Sequence, residues 1–111
     1  MRENVDLHKF WLLLASAVVL VLLSSVSLAA EITVDNDGTE DYETIQEAVN
    51  NAISGDTILV YPGTYSENVD VDKELNITSV GGASVTHVTA AASNDNVFHI
   101  TADGVTINGF N

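Results

Sequence analysis

The sequence predicts an all-β chain built as a parallel β-helix, a solenoid closed at one end by an amphipathic helix. Three observations carry that reading. A single helical apolar stripe occurs after residue 30, and no second one follows it. Six short β-branched runs then recur, separated by Gly, Asn, Asp and Ser. Inside those runs apolar and polar residues alternate, which is the period of a strand with one buried face.

Residues 1–29 read as an export signal. Arg2, His8 and Lys9 precede an apolar run over 10–23, and Ser27-Leu28-Ala29 fits the small-x-small pattern cut by a signal peptidase, with Ala29 as the last residue removed. The run is also long enough to stay as an uncleaved anchor. Either way the basic end stays inside and the acidic remainder is exported. The membrane is a partner only through this segment.

Residues 30–56 form an N-terminal strand and the cap helix. Ile32-Thr33-Val34 is the strand, and Asp35-Asn36-Asp37-Gly38 the turn after it. Ile45, Ala48, Val49, Ala52 and Ile53 fall on one helical stripe, so a helix is predicted over 43–53. Asp41 is its expected N-cap, Glu43 favours the positive end of its dipole, and Gly55 is its stop.

Residues 57–111 are the first coils, with strands predicted at 57–61, 68–71, 75–79, 85–89, 96–100 and 105–108. The runs interleave into two sets. Ile58, Ile77 and Phe98 lie 19 and 21 residues apart, and Val69, Val88 and Ile107 lie 19 and 19 apart. Two strands per turn of about 20 residues is the expected coil, each stacked on the last. An antiparallel sandwich would need hairpin turns between neighbouring runs, and none is present. Residues 105–111 read as the middle of a coil, so a continuing chain or self-association at that edge is expected.

Charge and composition exclude several functions. Residues 31–111 carry 14 Asp and Glu against Lys73 alone, so the net charge of −13 resides there. Such acidity excludes an electrostatic nucleic-acid binder. Absence of cysteine excludes a disulfide scaffold, a thiolate metal site and a Cys nucleophile.

One block carries a family resemblance. Asp41-Tyr42-Glu43-Thr44-Ile45-Gln46-Glu47-Ala48-Val49 is followed by Ala52, Gly55-Asp56-Thr57-Ile58-Leu59-Val60 and Tyr61-Pro62-Gly63-Thr64-Tyr65-Ser66-Glu67. It resembles the opening of a right-handed parallel β-helix of the pectin-lyase-like family, closely over residues 32–80. More narrowly, the chain is similar to exported cell-surface β-helix repeat proteins of methanogenic archaea. It is also similar to the periplasmic copper-binding family linked to nitrous oxide reductase maturation. The resemblance implies structural work for the matched positions. Ile45, Val49 and Ala52 cover the open end of the solenoid, Gly55 ends the helix, Pro62-Gly63 turns the chain, and Glu67 begins the next strand.

Candidate chemistry is sparse. Asp35, Asp37 and Asp41 supply alternating oxygen donors for calcium, against the reading of the same loop as a polar turn. Copper would draw on His87 and His99, against surface histidines on strands. Asn76-Ile77-Thr78 is an acceptor sequence for an asparagine-linked glycan at Asn76. No catalytic residue and no cofactor beyond that calcium loop are assigned. The expected function is an exported or surface-attached β-helix protein with a structural or carbohydrate-binding role, whose partners are polysaccharide or cell-envelope components. The alternative is a carbohydrate-active enzyme, a polysaccharide lyase or glycoside hydrolase, whose catalytic coils lie beyond this chain.

Overall fold

The computed structural model describes residues 28–111. The basic residues and apolar run of the expected export signal lie outside the described residues. Strand β1 (Glu31–Val34) leads through a loop to helix α1 (Ile45–Asn51). Strands β2 (Thr57–Val60), β3 (Gly63–Ser66) and β4 (Val69–Val71) make the next coil. Then come β5 (Asn76–Ser79), β6 (Thr86–Thr89), β7 (Phe98–Ile100) and β8 (Thr106–Asn108). Every strand pairing is parallel, in the sheets β1-β2-β5-β8, β3-β6 and β4-β7. The expected parallel β-helix is what the chain forms.

The coil has three strands, not the two read from the spacing. Ile32, Ile58, Ile77 and Ile107 stack as one inward ladder. Tyr65 pairs with Val88 in the second sheet, and Val69 with Phe98 in the third. Phe98 therefore sits over Val69 and not over Ile77, and Ile107 over Ile77 and not over Val88. The missed strand is Gly63–Ser66, where Tyr65 is the one buried residue and the alternation is too short to register. Its backbone is nonetheless paired, since the Gly63 N–H donates to the Val85 carbonyl at 3.0 Å. Pro62 makes the corner, and Gly63 is already strand.

Helix α1 is shorter than expected. Thr44 is the N-cap, its side chain accepting from the Glu47 N–H at 3.2 Å. Asp41 instead accepts from the Thr33 N–H at 3.1 Å and the Thr33 hydroxyl at 3.0 Å, so it ties the loop back to β1. Ile45, Ala48, Val49 and Ala52 are buried as the stripe requires. Ile53 is 51% exposed, because the chain turns extended at Ala52 and leaves the helical stripe. Gly55 lies beyond that end, at φ +96°, in the turn before β2.

A seven-residue helix is too short to stand alone. Side chains from the next coil hold both its ends. The Glu67 carboxylate, expected as a strand residue, accepts from the Ile45 and Gln46 N–H groups at 2.9 and 3.0 Å. The Lys73 ammonium donates to the Val49 and Ala52 carbonyls at 2.9 and 3.0 Å. Negative charge at the N-terminus and positive at the C-terminus both oppose the helix dipole favourably. Gln46 adds a third tie, donating to the Asp70 carbonyl at 3.2 Å and accepting from its N–H at 2.7 Å.

Asp56 fastens the other side of the helix-bearing coil. Its buried carboxylate accepts from the Ala30 N–H at 2.8 Å and the Ile53 N–H at 2.9 Å. Those two donors, helped by the nearby Lys73 charge, hold the carboxyl below the ordinary aspartate range.

Glu67→Ala leaves two helix N–H groups without their acceptor, so it lowers unfolding free energy by about 1–3 kcal/mol in urea titrations. Glu67→Gln, which keeps one acceptor oxygen, loses less. For Asp56 the folded-state pKa is depressed, so its stabilisation is present above the unfolded value and disappears as pH falls through the folded one. Thermal melts from pH 7 down to pH 2 are expected to show an acid-side loss that Asp56→Asn flattens.

Candidate functional site

Strand alternation sorts the four-stranded sheet into two faces. Its inward face is the isoleucine ladder. Its outward face carries Glu31, Thr57, Asn76 and Thr106 in one register row, and Thr33, Leu59, Thr78 and Asn108 in the next. Parallel pairing sets neighbours within a row about 4.8 Å apart, and residues two apart along a strand about 6.6 Å apart. The result is a flat grid of hydroxyl and amide groups with one apolar side chain, Leu59. Glu31, at one edge, is its only ionised member.

At the N-terminal ends of β2, β5 and β8 this grid runs into a cleft of about 290 Å³, lined by Gly55, Glu74, Leu75, Asn76, Gly104 and Thr106. Two features of the turns shape it. The Gly55 N–H donates to the Glu74 carbonyl at 2.8 Å, which clips one coil corner to the next. Gly104 has φ +72°, and a Cβ there would stand 2.9 Å from the Glu74 carboxyl carbon. Glycine thus permits both the turn and the close approach of Glu74. That carboxylate is the charged group of the cleft.

The other sequence candidates are dispersed. Asp35, Asp37 and Asp41 serve the loop itself. The Thr39 hydroxyl and N–H, at 2.6 and 2.9 Å, hold the Asp37 carboxyl below its ordinary range, Asp35 accepts from the Asp37 N–H, and Asp41 is engaged by Thr33. Among the described residues no three His, Asp or Glu side chains are grouped to hold one metal ion. His87 and His99 lie on β6 and β7, in different sheets. His99 Nδ1 is 3.2 Å from an Asp70 carboxylate oxygen in an exposed pair. Asn76 is exposed at the cleft, in a strand paired on both edges. Ala29 is exposed, immediately before the first residue whose backbone joins the sheet. Lys73 is engaged by the helix.

Sequence reasoning missed the grid. Its members are Thr and Asn, which attract no motif, and they align only once the true register is known. The repeated outward positions two apart in 57–59, 76–78 and 106–108 were the available signal.

Comparison with known proteins adds three findings. Residues 31–110 match the family model described as Pectinesterase. The chain is similar to a cell surface glycoprotein of Methanothermus fervidus, 34% identical over 106 residues, covering 94% of this chain and 17% of that protein. It is also similar to the pectinesterase/pectinesterase inhibitor U1 of Solanum lycopersicum, 40% identical over 76 residues, covering 63% of this chain and 13% of that protein. The chain therefore spans less than a fifth of the length of either relative.

Gly104→Ala is expected to destabilise the fold by more than the about 1–2 kcal/mol that a left-handed backbone carrying a Cβ costs, because that Cβ also meets the Glu74 carboxylate. Combining it with Glu74→Ala removes the side-chain clash and leaves that backbone part, which urea unfolding of the three variants separates.

Proposed function

Because the chain belongs to the pectinesterase family, we propose that it is an exported, surface-displayed β-helix module that holds carbohydrate across the outward face of its four-stranded sheet. The observation that carries this reading is the in-register grid of Thr57, Asn76, Thr78, Thr106 and Asn108 beside Leu59. Hydroxyl and amide groups exchange hydrogen bonds with sugar hydroxyls, and an apolar side chain suits the C–H face of a sugar ring. A rigid sheet presents them without ordering cost at binding. The names of the two relatives, a cell surface glycoprotein and a pectinesterase, support a place outside the cytoplasm and a carbohydrate ligand.

Charge narrows the ligand. With 14 carboxylates against one lysine in residues 31–111, the surface potential repels polyuronates at low ionic strength. Neutral or esterified polysaccharide is the class that fits. A carbohydrate-active enzyme is the second reading, favoured by the family match. Its mark would be release of methanol or of shortened chains from pectin by the exported protein.

Calorimetric titration with methyl-esterified pectin, a neutral glucan and polygalacturonate tests the binding reading. Esterified or neutral chains are expected to bind better, and the gap to polygalacturonate is expected to narrow as salt rises. Thr106→Val combined with Asn108→Ala removes two hydrogen-bonding groups and is expected to weaken binding about tenfold, with unfolding midpoints unchanged. Equal binding by that double variant, or no binding to any of the three, would overturn the proposal.

A further inference from the structure

Two independent observations meet at the bond between Ala29 and Ala30. The sequence places a signal-peptidase pattern at Ser27-Leu28-Ala29, after an apolar run with basic residues before it. The structure joins the sheet at the very next residue. Leu28 is 81% exposed and Ala29 is exposed. Ala30 is held from both its backbone groups, since its carbonyl accepts from the Thr57 N–H at 2.9 Å and its nitrogen donates to Asp56 Oδ1 at 2.8 Å. Asp56 itself is 2% exposed, and its second oxygen is taken by the Ile53 N–H.

We propose that the chain is cut between Ala29 and Ala30, and that Asp56 is the built receptor for the new N-terminus. Hydrolysis breaks the Ala29 C–N bond. Water supplies the hydroxyl that completes the Ala29 carboxyl group and the hydrogen that completes the Ala30 amine, which takes a further proton from solvent at neutral pH. The nitrogen already lies at hydrogen-bond distance from the carboxylate, so cutting replaces a neutral donor by a cation in place. A charge-assisted bond of this kind is roughly twice as strong as a neutral one. Neighbouring charges agree with the assignment. Lys73 helps keep Asp56 ionised while its ammonium donates to the Val49 and Ala52 carbonyls, so no side-chain cation occupies the oxygen that faces Ala30. Cleavage therefore releases the module and tightens its first strand in the same step. The inference rests on the export in the reading above, and it is independent of saccharide binding.

The test is the N-terminal sequence and unfolding of the protein recovered outside its own cells. Ala30 is the expected first residue. An exported protein beginning anywhere else overturns the cleavage and leaves export standing, whereas a protein found only inside, still starting at Met1, overturns export as well. A variant whose cut is moved two residues upstream keeps Leu28 and Ala29 attached, so its Ala30 retains a peptide N–H. The protein starting at Ala30 is expected to have a folding constant about tenfold larger at pH 7. The sign follows from the cation: its contribution is full below the free-amine pKa near about 8 and is lost as pH rises through the folded value. The gap therefore closes at high pH. Equal stabilities at pH 7, or a gap that does not change with pH, overturn the role given to Asp56.

Discussion

A solenoid coil is held by the coils stacked against it, so the rung that lacks a neighbour dictates what the chain must supply there. In this protein β3 and β4 pair with β6 and β7 on one edge only. The helix-bearing coil offers no strand for their other edges. Polar side chains take that place. Asn36 donates to the Thr64 carbonyl on the free edge of β3 at 2.9 Å, and Gln46 both donates to and accepts from Asp70 on the free edge of β4. Each side-chain amide mimics the peptide group a neighbouring strand would have presented. Above them Ile45, Ala48 and Val49 close the apolar interior. An edge that would otherwise template a foreign strand is thereby satisfied and covered.

Dependence runs both ways across this contact. The helix takes its end groups' partners from Glu67 and Lys73, which are positioned only when β4 and its flanking turns have formed. Those turns in turn lose their cover if the helix is absent. Such mutual need makes the first coils a cooperative unit, in which the short helix is a consequence of packing more than of propensity. It also leaves the outward face of the four-stranded sheet nearly free of structural duty. Thr33 is the exception, because Asp41 engages it. A face that the fold does not need is one on which a binding function can be carried.

How much of this was legible follows from what each residue type can signal. The stripe Ile45, Ala48, Val49 showed the helix, because three buried residues at helical spacing leave few other readings. Leu75 and Ile77, with Asn76 between them, showed their strand for the same reason. Register was another matter. Residues Ile58 and Ile77 were rightly stacked, but the exposed stretch 91–96 lengthens the next coil, so Phe98 was placed on the wrong ladder. A loop that Asn68 holds through three side-chain hydrogen bonds to Ala92 and Asn96 carries no hydrophobic period to warn of its length. The cap was misassigned within one loop, since Asp41 and Thr44 are both good caps and only the tie to Thr33 decides between them. Glu67 was legible as a position and not as a role. Its partners lie more than twenty residues away, and no local pattern points to them.

The distribution of charge shows how so acidic a chain remains folded. Lys73, the one cation of residues 31–111, is directed at helix carbonyls and not at a carboxylate. The carboxylates with structural work therefore take their stabilisation from N–H and hydroxyl donors: Glu67 at the helix, Asp56 at Ala30 and Ile53, Asp41 at Thr33, and Asp37 at Thr39. Such bonds are short-range and local, so salt weakens them far less than it weakens exposed ion pairs. The remaining acids are mostly exposed, and salt reduces their mutual repulsion. Rising ionic strength thus removes little that holds this fold and relieves much that opposes it. The same arrangement explains why a lone new cation at Ala30 carries weight. Within residues 31–111, where the one lysine serves the helix, an ammonium at Ala30 gives the buried Asp56 a cation that no side chain supplies by direct contact.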